Sequence, residues 1–447
     1  MGLAAKRPAR SSNGSSSPRC FVPRKNRRTS QSKSPRLKVM QPLTTEVVRA
    51  QGIVTERRAA ALSAQRRADR QDPPGSDCRS GRIPWPPQAS PEWSDWRWQL
   101  RHAVTRPSQL AELGLISRDE AEELETVVRT YPMRITPYYL SLIDWGDPSD
   151  PLRRQALPSR DELRIDARLQ EDPLEEELHS PLAALVHRYP DRVLILTNTF
   201  CPVLCRHCTR KRLMRGKPFY ADRQTLSAAI SYVARNPRVH DVLLSGGNPL
   251  CLSARRLDWL LASLSAIPHV EVIRIGSREP AVLPQRLFDP NLREVLARHR
   301  RKLWVNTQFN HPRELTDAAA EAIETLLLLG IPVNNQTVLL RGVNDDVEVL
   351  YQLFRGLLRL KVRPYYLLHA DATQGTAHFR TSVFRGMELV ESLRGQLSGL
   401  GIPLYIVDSP KLGKLPIVPT YARPCDDGYV ELHKPSRGTI RYPDGAP

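Results

Sequence analysis

The chain has little cysteine, few aromatic residues and no long apolar run. Seven cysteines in 447 residues, four of them scattered (Cys20, Cys78, Cys251 and Cys425), do not make the disulfide framework of a secreted domain. No stretch approaches about eighteen consecutive apolar residues, which excludes a transmembrane helix. The apolar core of a secretory signal is missing as well. These absences point to the reducing cytoplasm and to no membrane partner. What the chain has in excess is positive charge, a net +19. Such a balance first suggests nucleic acid, but residues 1–85 hold 19 Lys and Arg against 5 Asp and Glu, so only +5 remains for the rest. The stretch "KRPARSSNGSSSPRCFVPRKNRRTSQSKSPRLKVM" is too polar to offset its ordering entropy and is expected to be a disordered tail. An organelle transit peptide, or an upstream extension before a start at Met40, are the other readings of it. A nucleic-acid partner is not expected.

From Trp93 the composition becomes globular. Residues 107–130 carry apolar positions at helical spacing behind a capping Ser108 and read as one helix, followed by Pro-punctuated turns over 131–185. Then a rhythm begins. Apolar, β-branched runs at 192–199, 240–245, 270–277, 302–309, 332–340, 362–368 and 403–408 alternate with amphipathic stretches at 225–235, 255–266, 290–300, 316–329, 346–360 and 385–399. Such alternation predicts an α/β fold of parallel strands covered by helices, a partial (β/α)6-type barrel with a doubly wound open sheet as its rival. The expected organisation is a tail at 1–85, a mostly helical region at 86–185, the barrel at 186–400 and a C-terminal segment at 401–447. "SGGN" (245–248), "GSREP" (276–280), "NTQFNHP" (306–312), "RGVND" (341–345) and "HADATQG" (369–375) follow successive strands. Loops at those C-terminal strand ends carry the active sites of such barrels.

The densest motif is "CPVLCRHCTRKR" (201–212), where Cys201, Cys205 and Cys208 form C-x3-C-x2-C. Three thiolates on an irregular loop can wrap three irons of a [4Fe–4S] cube and leave the fourth iron for a small molecule. A zinc site is the alternative, although only His207 stands near enough in sequence to complete one. The cations Arg206, Arg210, Lys211 and Arg212 favour thiolates and suit anionic ligands.

Together with "WSDWRWQLRHAV", "ITPYYLSLID", "HRYPDRVLIL", "DVLLSGG", "IRIGSR", "NTQFNHP", "NQTVLLRGVND" and "RPYYLLHAD", this loop resembles the lysine 2,3-aminomutase family of the radical S-adenosylmethionine (SAM) superfamily. The resemblance runs from about Trp93 to about Arg441. It implies a [4Fe–4S] cluster on the three cysteines, SAM, pyridoxal 5′-phosphate (PLP), and movement of an amino group from C2 to C3 of a basic L-amino acid. L-Lysine to L-β-lysine is the first expectation and L-arginine to L-β-arginine the alternative. A relative that supplies β-lysine for modifying a translation factor, and a radical SAM enzyme acting on RNA, are more distant ones. An electron donor such as flavodoxin or ferredoxin is implied; no structural zinc is expected, and the homo-oligomer question stays open.

Residue by residue, the resemblance assigns His207, Gly246, Gly247, Asn248 and Gln336 to SAM. Asn248 stands where the family usually has an acid; the glycines let backbone approach a ligand closely. Lys414 in "DSPKLGKLPIVP" matches the lysine that anchors PLP, with Lys411 as runner-up. Here Lys411 and Leu412 replace glycines of the family's segment. Arg188, Tyr189 and Arg192 in "HRYPDR" match PLP-contacting positions: guanidiniums suit a phosphate and an aromatic can stack on the ring. Arg210 matches the clamp for the substrate α-carboxylate, and Asp371 with Asp408 the pair that holds the side-chain ammonium.

Overall fold

The computed structural model describes residues 90–425, 429–434 and 438–443; the tail expected over 1–85 lies outside them. Among the described residues, nine strands form one sheet in chain order. β1 (Leu185–Tyr189) and β2 (Arg192–Asn198) make an antiparallel hairpin. β3 (Asp241–Gly246), β4 (Val272–Gly276), β5 (Leu303–Thr307), β6 (Val333–Leu339), β7 (Arg363–His369) and β8 (Leu404–Ser409) then add in parallel, each to the one before. β9 (Gly413–Pro416) folds back antiparallel on β8. Helices α1 (Arg223–Ala234), α2 (Ala254–Ser265), α3 (Pro290–His299), α4 (Asp317–Leu328), α5 (Val347–Arg359) and α6 (Val383–Leu393) fill the crossovers. A doubly wound sheet reverses its strand order midway. This one never does, and curls into a half-barrel of six β/α units.

The strands and helices fold this way for ordinary reasons. In α2, Leu257, Leu260, Leu261 and Leu264 recur at helical spacing and are fully buried. Burying such a side chain contributes about 1.5–3 kcal/mol. Along the strands the period is two. Val193 and Ile195, Val242 and Leu244, Ile273 and Ile275 belong to the core shared with the helices. Their neighbours Leu194, Leu243, Ser245, Arg274, Asn306, Asn334 and Gln336 line the inner cavity. Parallel strands are usually apolar on both faces, so this polar inner row marks a wall that faces something other than core.

Before the barrel, the single helix expected over 107–130 is two, Pro107–Glu112 and Arg118–Val128. Gly114 turns the chain at φ 68°, and Ser117 restarts the helix by accepting a bond from the Glu120 amide. The segment after them ties into the barrel: Thr136 Oγ1 donates to the Val282 carbonyl and Tyr139 Oη to Glu314, each at 2.9 Å. Unforeseen in the sequence are β1, β9 and a small antiparallel sheet of β10 (Ala422–Pro424), β11 (Tyr429–Lys434) and β12 (Gly438–Pro443). No helix among the described residues is long and apolar enough to cross a membrane.

Candidate active site

The cysteine loop leaves the end of β2 and is pinned by backbone bonds to the preceding region. The Leu204 amide donates to Arg134 O at 3.0 Å and the Arg206 amide to Gln155 O at 2.9 Å. Cys201, Cys205 and Cys208 border one small cavity of about 40 Å³ with Leu204, Met214 and Tyr131. Burial pushes the Cys201 thiol well up and Cys208 to about 11, so thiolates there need bound cations. Among the described residues no three His, Cys, Asp or Glu side chains converge tightly enough for a single metal ion. Three cysteines around one cavity supply the thiolates that three irons of a [4Fe–4S] cube need. His207 is turned elsewhere: its Nε2 lies 3.3 Å from the Asn310 amide nitrogen and 3.4 Å from that of Gln308. Burial, then Arg278, keeps its ring neutral, and Nδ1 is buried without a partner.

The cations near the loop divide their work differently from expectation. Arg206 and Lys211 make their hydrogen bonds to a carboxylate rather than to sulfur, although the charge of Lys211, like that of Arg210, still favours the Cys208 thiolate. Arg206 donates to Glu162 at 2.9 and 2.5 Å and to the Pro132 carbonyl at 2.7 Å, and Lys211 Nζ reaches Glu162 at 2.6 Å. Burial opposes the Glu162 charge, yet Arg206 and then Lys211 hold its carboxyl below the ordinary range. A cation hydrogen-bonded to sulfur is Arg278 from "GSREP". Its Nη1 lies 2.8 Å from Cys205 Sγ, and Nη2 pairs with Glu314 at 2.5 Å. Arg278 was given no role from sequence; a lone arginine after a strand offers no spacing signal.

Gly246 and Gly247 make close approaches to the chain's own backbone. A Cβ on Gly246, at φ 115°, would collide with the Asn198 carbonyl, and one on Gly247 with the backbone of Phe200. The amides of Gly247 and Asn248 donate to Asn198 O and Phe200 O at 2.5 and 2.7 Å. The glycines therefore dock "SGGN" onto the start of the cysteine loop. Asn248 is 3% exposed and its side-chain oxygen has no partner, as suits an acceptor reserved for a ligand ammonium.

Inside the curl lies a cavity of about 570 Å³ whose walls include Arg188, Tyr189, Arg192, Arg210, Gln336, Asp371, Asp408 and Lys414. It extends past the C-terminal strand ends down to Arg192, Asp241 and Arg363, the first residues of β2, β3 and β7. Lys414 arrives on β9, in register opposite Asp408. Asp408 accepts from Lys414 Nζ at Oδ2 and from Arg188 Nη1 at Oδ1, the latter at 2.9 Å. Arg188, expected on a phosphate, thus shares that carboxylate and also donates to Ser409 O. The Tyr189 hydroxyl accepts from the Lys414 amide at 3.1 Å, so edge strand β1 is drawn to β9 across the mouth of the sheet. Gly413, at φ 76°, sits where a Cβ would stand 3.0 Å from that hydroxyl. Arg192 covers the Tyr189 ring, 3.8 Å from its centroid, and pairs with Asp191. Lys411 and Leu412 are exposed at the hairpin tip and do not line the cavity.

Asp371 accepts from Thr209 Oγ1 at 2.7 Å; burial, seconded by Asp408, pushes it up to about 6. Arg210, the next residue after Thr209, is gripped by Glu176. Glu176 went unnoticed in sequence because "PLEEEL" reads as a solvated charge run. The polar inner faces of β3 to β6 were missed too, although polar residues at alternate positions of parallel strands were a usable signal.

Comparison with known proteins adds the following. Residues 195–354 match the Radical SAM superfamily profile. L-Lysine 2,3-aminomutase of Clostridium subterminale is 45% identical over 331 residues, covering 74% of this chain and 79% of that protein. The enzyme of that name from Bacillus subtilis is 41% identical over 361 residues, 80% of this chain and 76% of its own. Glutamate 2,3-aminomutase of Clostridioides difficile is 37% identical over 354 residues, 79% and 83% respectively.

Proposed function

Since the chain belongs to the lysine 2,3-aminomutase family of radical SAM enzymes, we propose that it converts L-lysine to L-β-lysine with PLP held on Lys414. The chain is a radical SAM 2,3-aminomutase, an isomerase that uses SAM and a [4Fe–4S] cluster on an amino acid. The lining of one cavity supports lysine as the substrate. A single cavity is lined at once by an amine, Lys414, by two carboxylates, Asp371 and Asp408, and by the guanidinium of Arg210. That set matches an amino acid with a cationic end: its ammonium between the carboxylates, its carboxylate on the arginine. A glutamate side chain would meet the same carboxylates as like charges.

When bound, the cluster and SAM supply the one-electron chemistry that opens an unactivated C–H bond, and PLP supplies the electron sink for nitrogen migration. The protein's part is placement. Cys201, Cys205 and Cys208 hold the iron, and Asn248 Oδ1 with neutral His207 offers polar contacts for SAM. Gly246 and Gly247 hold that turn in place, and Gln336 faces the shared cavity from β6. Arg188, Tyr189 and Arg192 flank Lys414 as the PLP set. An arriving substrate ammonium would meet an ionised Asp371 above about pH 6 and take the proton off it below, and would let Lys414 leave Asp408.

The test is an anaerobic reconstitution with iron, sulfide, PLP, SAM and dithionite, offering L-lysine, L-arginine and L-glutamate separately. Products are read by mass spectrometry after chiral derivatisation. β-Lysine as the main product is expected. β-Arginine alone would move the substrate and implicate the altered hairpin at 411–414; β-glutamate would overturn the role of the acid pair.

A further inference from the structure

Arg210 already holds a carboxylate. Glu176 accepts from its Nε at 2.9 Å (Oε2) and 3.2 Å (Oε1), and from its Nη2 at 2.6 Å (Oε1). The remaining nitrogen, Nη1, donates to Ser245 Oγ at 3.3 Å. A guanidinium has two edges that can bind a carboxylate in a fork: the side edge, Nε with Nη2, and the end edge, Nη1 with Nη2. Glu176 takes the side edge, while on the end edge Nη1 meets only the Ser245 hydroxyl and no carboxylate among the described residues. Both residues line the 570 Å³ cavity, and Glu176 is only 6% exposed. Burial works against its charge, yet Arg210 and then Arg212 hold its carboxyl below the ordinary range.

The turn over 172–180 is built around this acid. Ser180 Oγ and the His179 amide both donate to the Glu176 carbonyl, at 2.7 and 3.2 Å. Asp172 and Glu177 straddle Arg212 at 3.0 and 3.3 Å. Glu175 adopts φ 52°, a left-handed conformation that costs a non-glycine residue about 1–2 kcal/mol. A solvated charge run would need none of these restraints.

Resting on the reading of Arg210 as the clamp for the substrate α-carboxylate, we infer that Glu176 is a positioning residue: it locks the side edge of the guanidinium so that the end edge meets that carboxylate in register. Recognition of the carboxylate then depends on a residue that acts through Arg210.

The reconstituted holoenzyme tests this with two ligands, L-lysine and L-lysinamide, whose dissociation constants are measured by calorimetry. The parent protein should prefer L-lysine by roughly 10- to 100-fold, the worth of a charge-assisted fork. Arg210→Gln should erase that preference. Glu176→Gln should cut it at least fivefold (about 1 kcal/mol) while leaving lysinamide affinity and iron content unchanged, which also reports an intact fold. Glu176→Asp, too short to reach both nitrogens, should act in the same direction and serves if the glutamine variant does not fold. If Arg210→Gln keeps the preference, the clamp reading of Arg210 is wrong. If Arg210→Gln loses it but the Glu176 variants keep or strengthen it, Arg210 stands and the role given to Glu176 is overturned.

Discussion

Around the cysteine loop the charges are sealed in: Glu162 and Glu314 are at most 1% exposed, and the Arg206, Lys211 and Arg278 side chains that pair with them are at most 7% exposed. At the β8–β9 hairpin one buried carboxylate, Asp408, serves two cations, and Lys414 remains 32% exposed. The first arrangement resists change. Breaking it strands a charge in a low dielectric. The second can exchange partners, because Asp408 holds two cations at once and one of them, Lys414, is partly exposed. A cluster loop has to keep its geometry through an electron transfer, whereas a lysine proposed to bind PLP would have to let go of its counter-ion.

The largest expected break is chemical. Cys205→Ser should abolish iron uptake and SAM cleavage together, measured by iron analysis and methionine release; a variant that still cleaves SAM would contradict the three-thiolate reading. Next comes the sealed network. Glu162→Gln leaves Arg206 and Lys211 buried without their anion, and removing one partner of such a pair costs about 3–5 kcal/mol. Urea unfolding under anaerobic conditions should show it, and a loss below about 1 kcal/mol would mean the buried network does not hold the loop.

The hairpin should respond more mildly. Gly413→Ala meets a left-handed φ and the Tyr189 hydroxyl, and should cost about 1–2 kcal/mol together with weaker PLP retention. Gly114→Ala has a similar φ but open space, so it should lose stability without touching PLP. The smallest effect is a pH dependence. Asp371 titrates near 6, above the unfolded value of about 3.9. Its neutral form therefore stabilises the fold fully below about pH 4, and that contribution is lost as pH rises through about 6. Above 6 the ionised acid is ready for a cation. L-Lysine affinity should be flat there and fall up to about tenfold per pH unit below it, while Asp371→Asn should flatten the profile. Calorimetry in buffers of different ionisation enthalpy would register the proton released.

What the sequence could disclose follows the same division. The cysteine loop is local, so three cysteines in eight residues announce it without the fold. The barrel was legible because strand and helix periods alternate over six units. The hairpin site was not legible from the residues alone: Arg188, Asp408 and Lys414 come together across more than two hundred positions, and only the resemblance to a family picked Lys414. β1 was hidden because "RYPDR" reads as a turn, and its pairing depends on β2 lying beside it. Arg278 and Glu176 act through partners far away in the chain, and neither belongs to a spacing pattern. The roles expected of Gly246 and Gly247 missed their nearest neighbour, the backbone of residues 198–200.

The division between a sealed loop and an exchangeable hairpin is tested most directly by Lys414→Ala. The variant, reconstituted beside the parent protein, would be assayed for iron, for the visible absorbance of lysine-bound PLP, and for β-amino acid product. The account predicts full iron content, no such absorbance and no product. A variant that keeps the parent rate would contradict the placement of PLP on Lys414, and one that loses its iron as well would contradict the independence of the two regions.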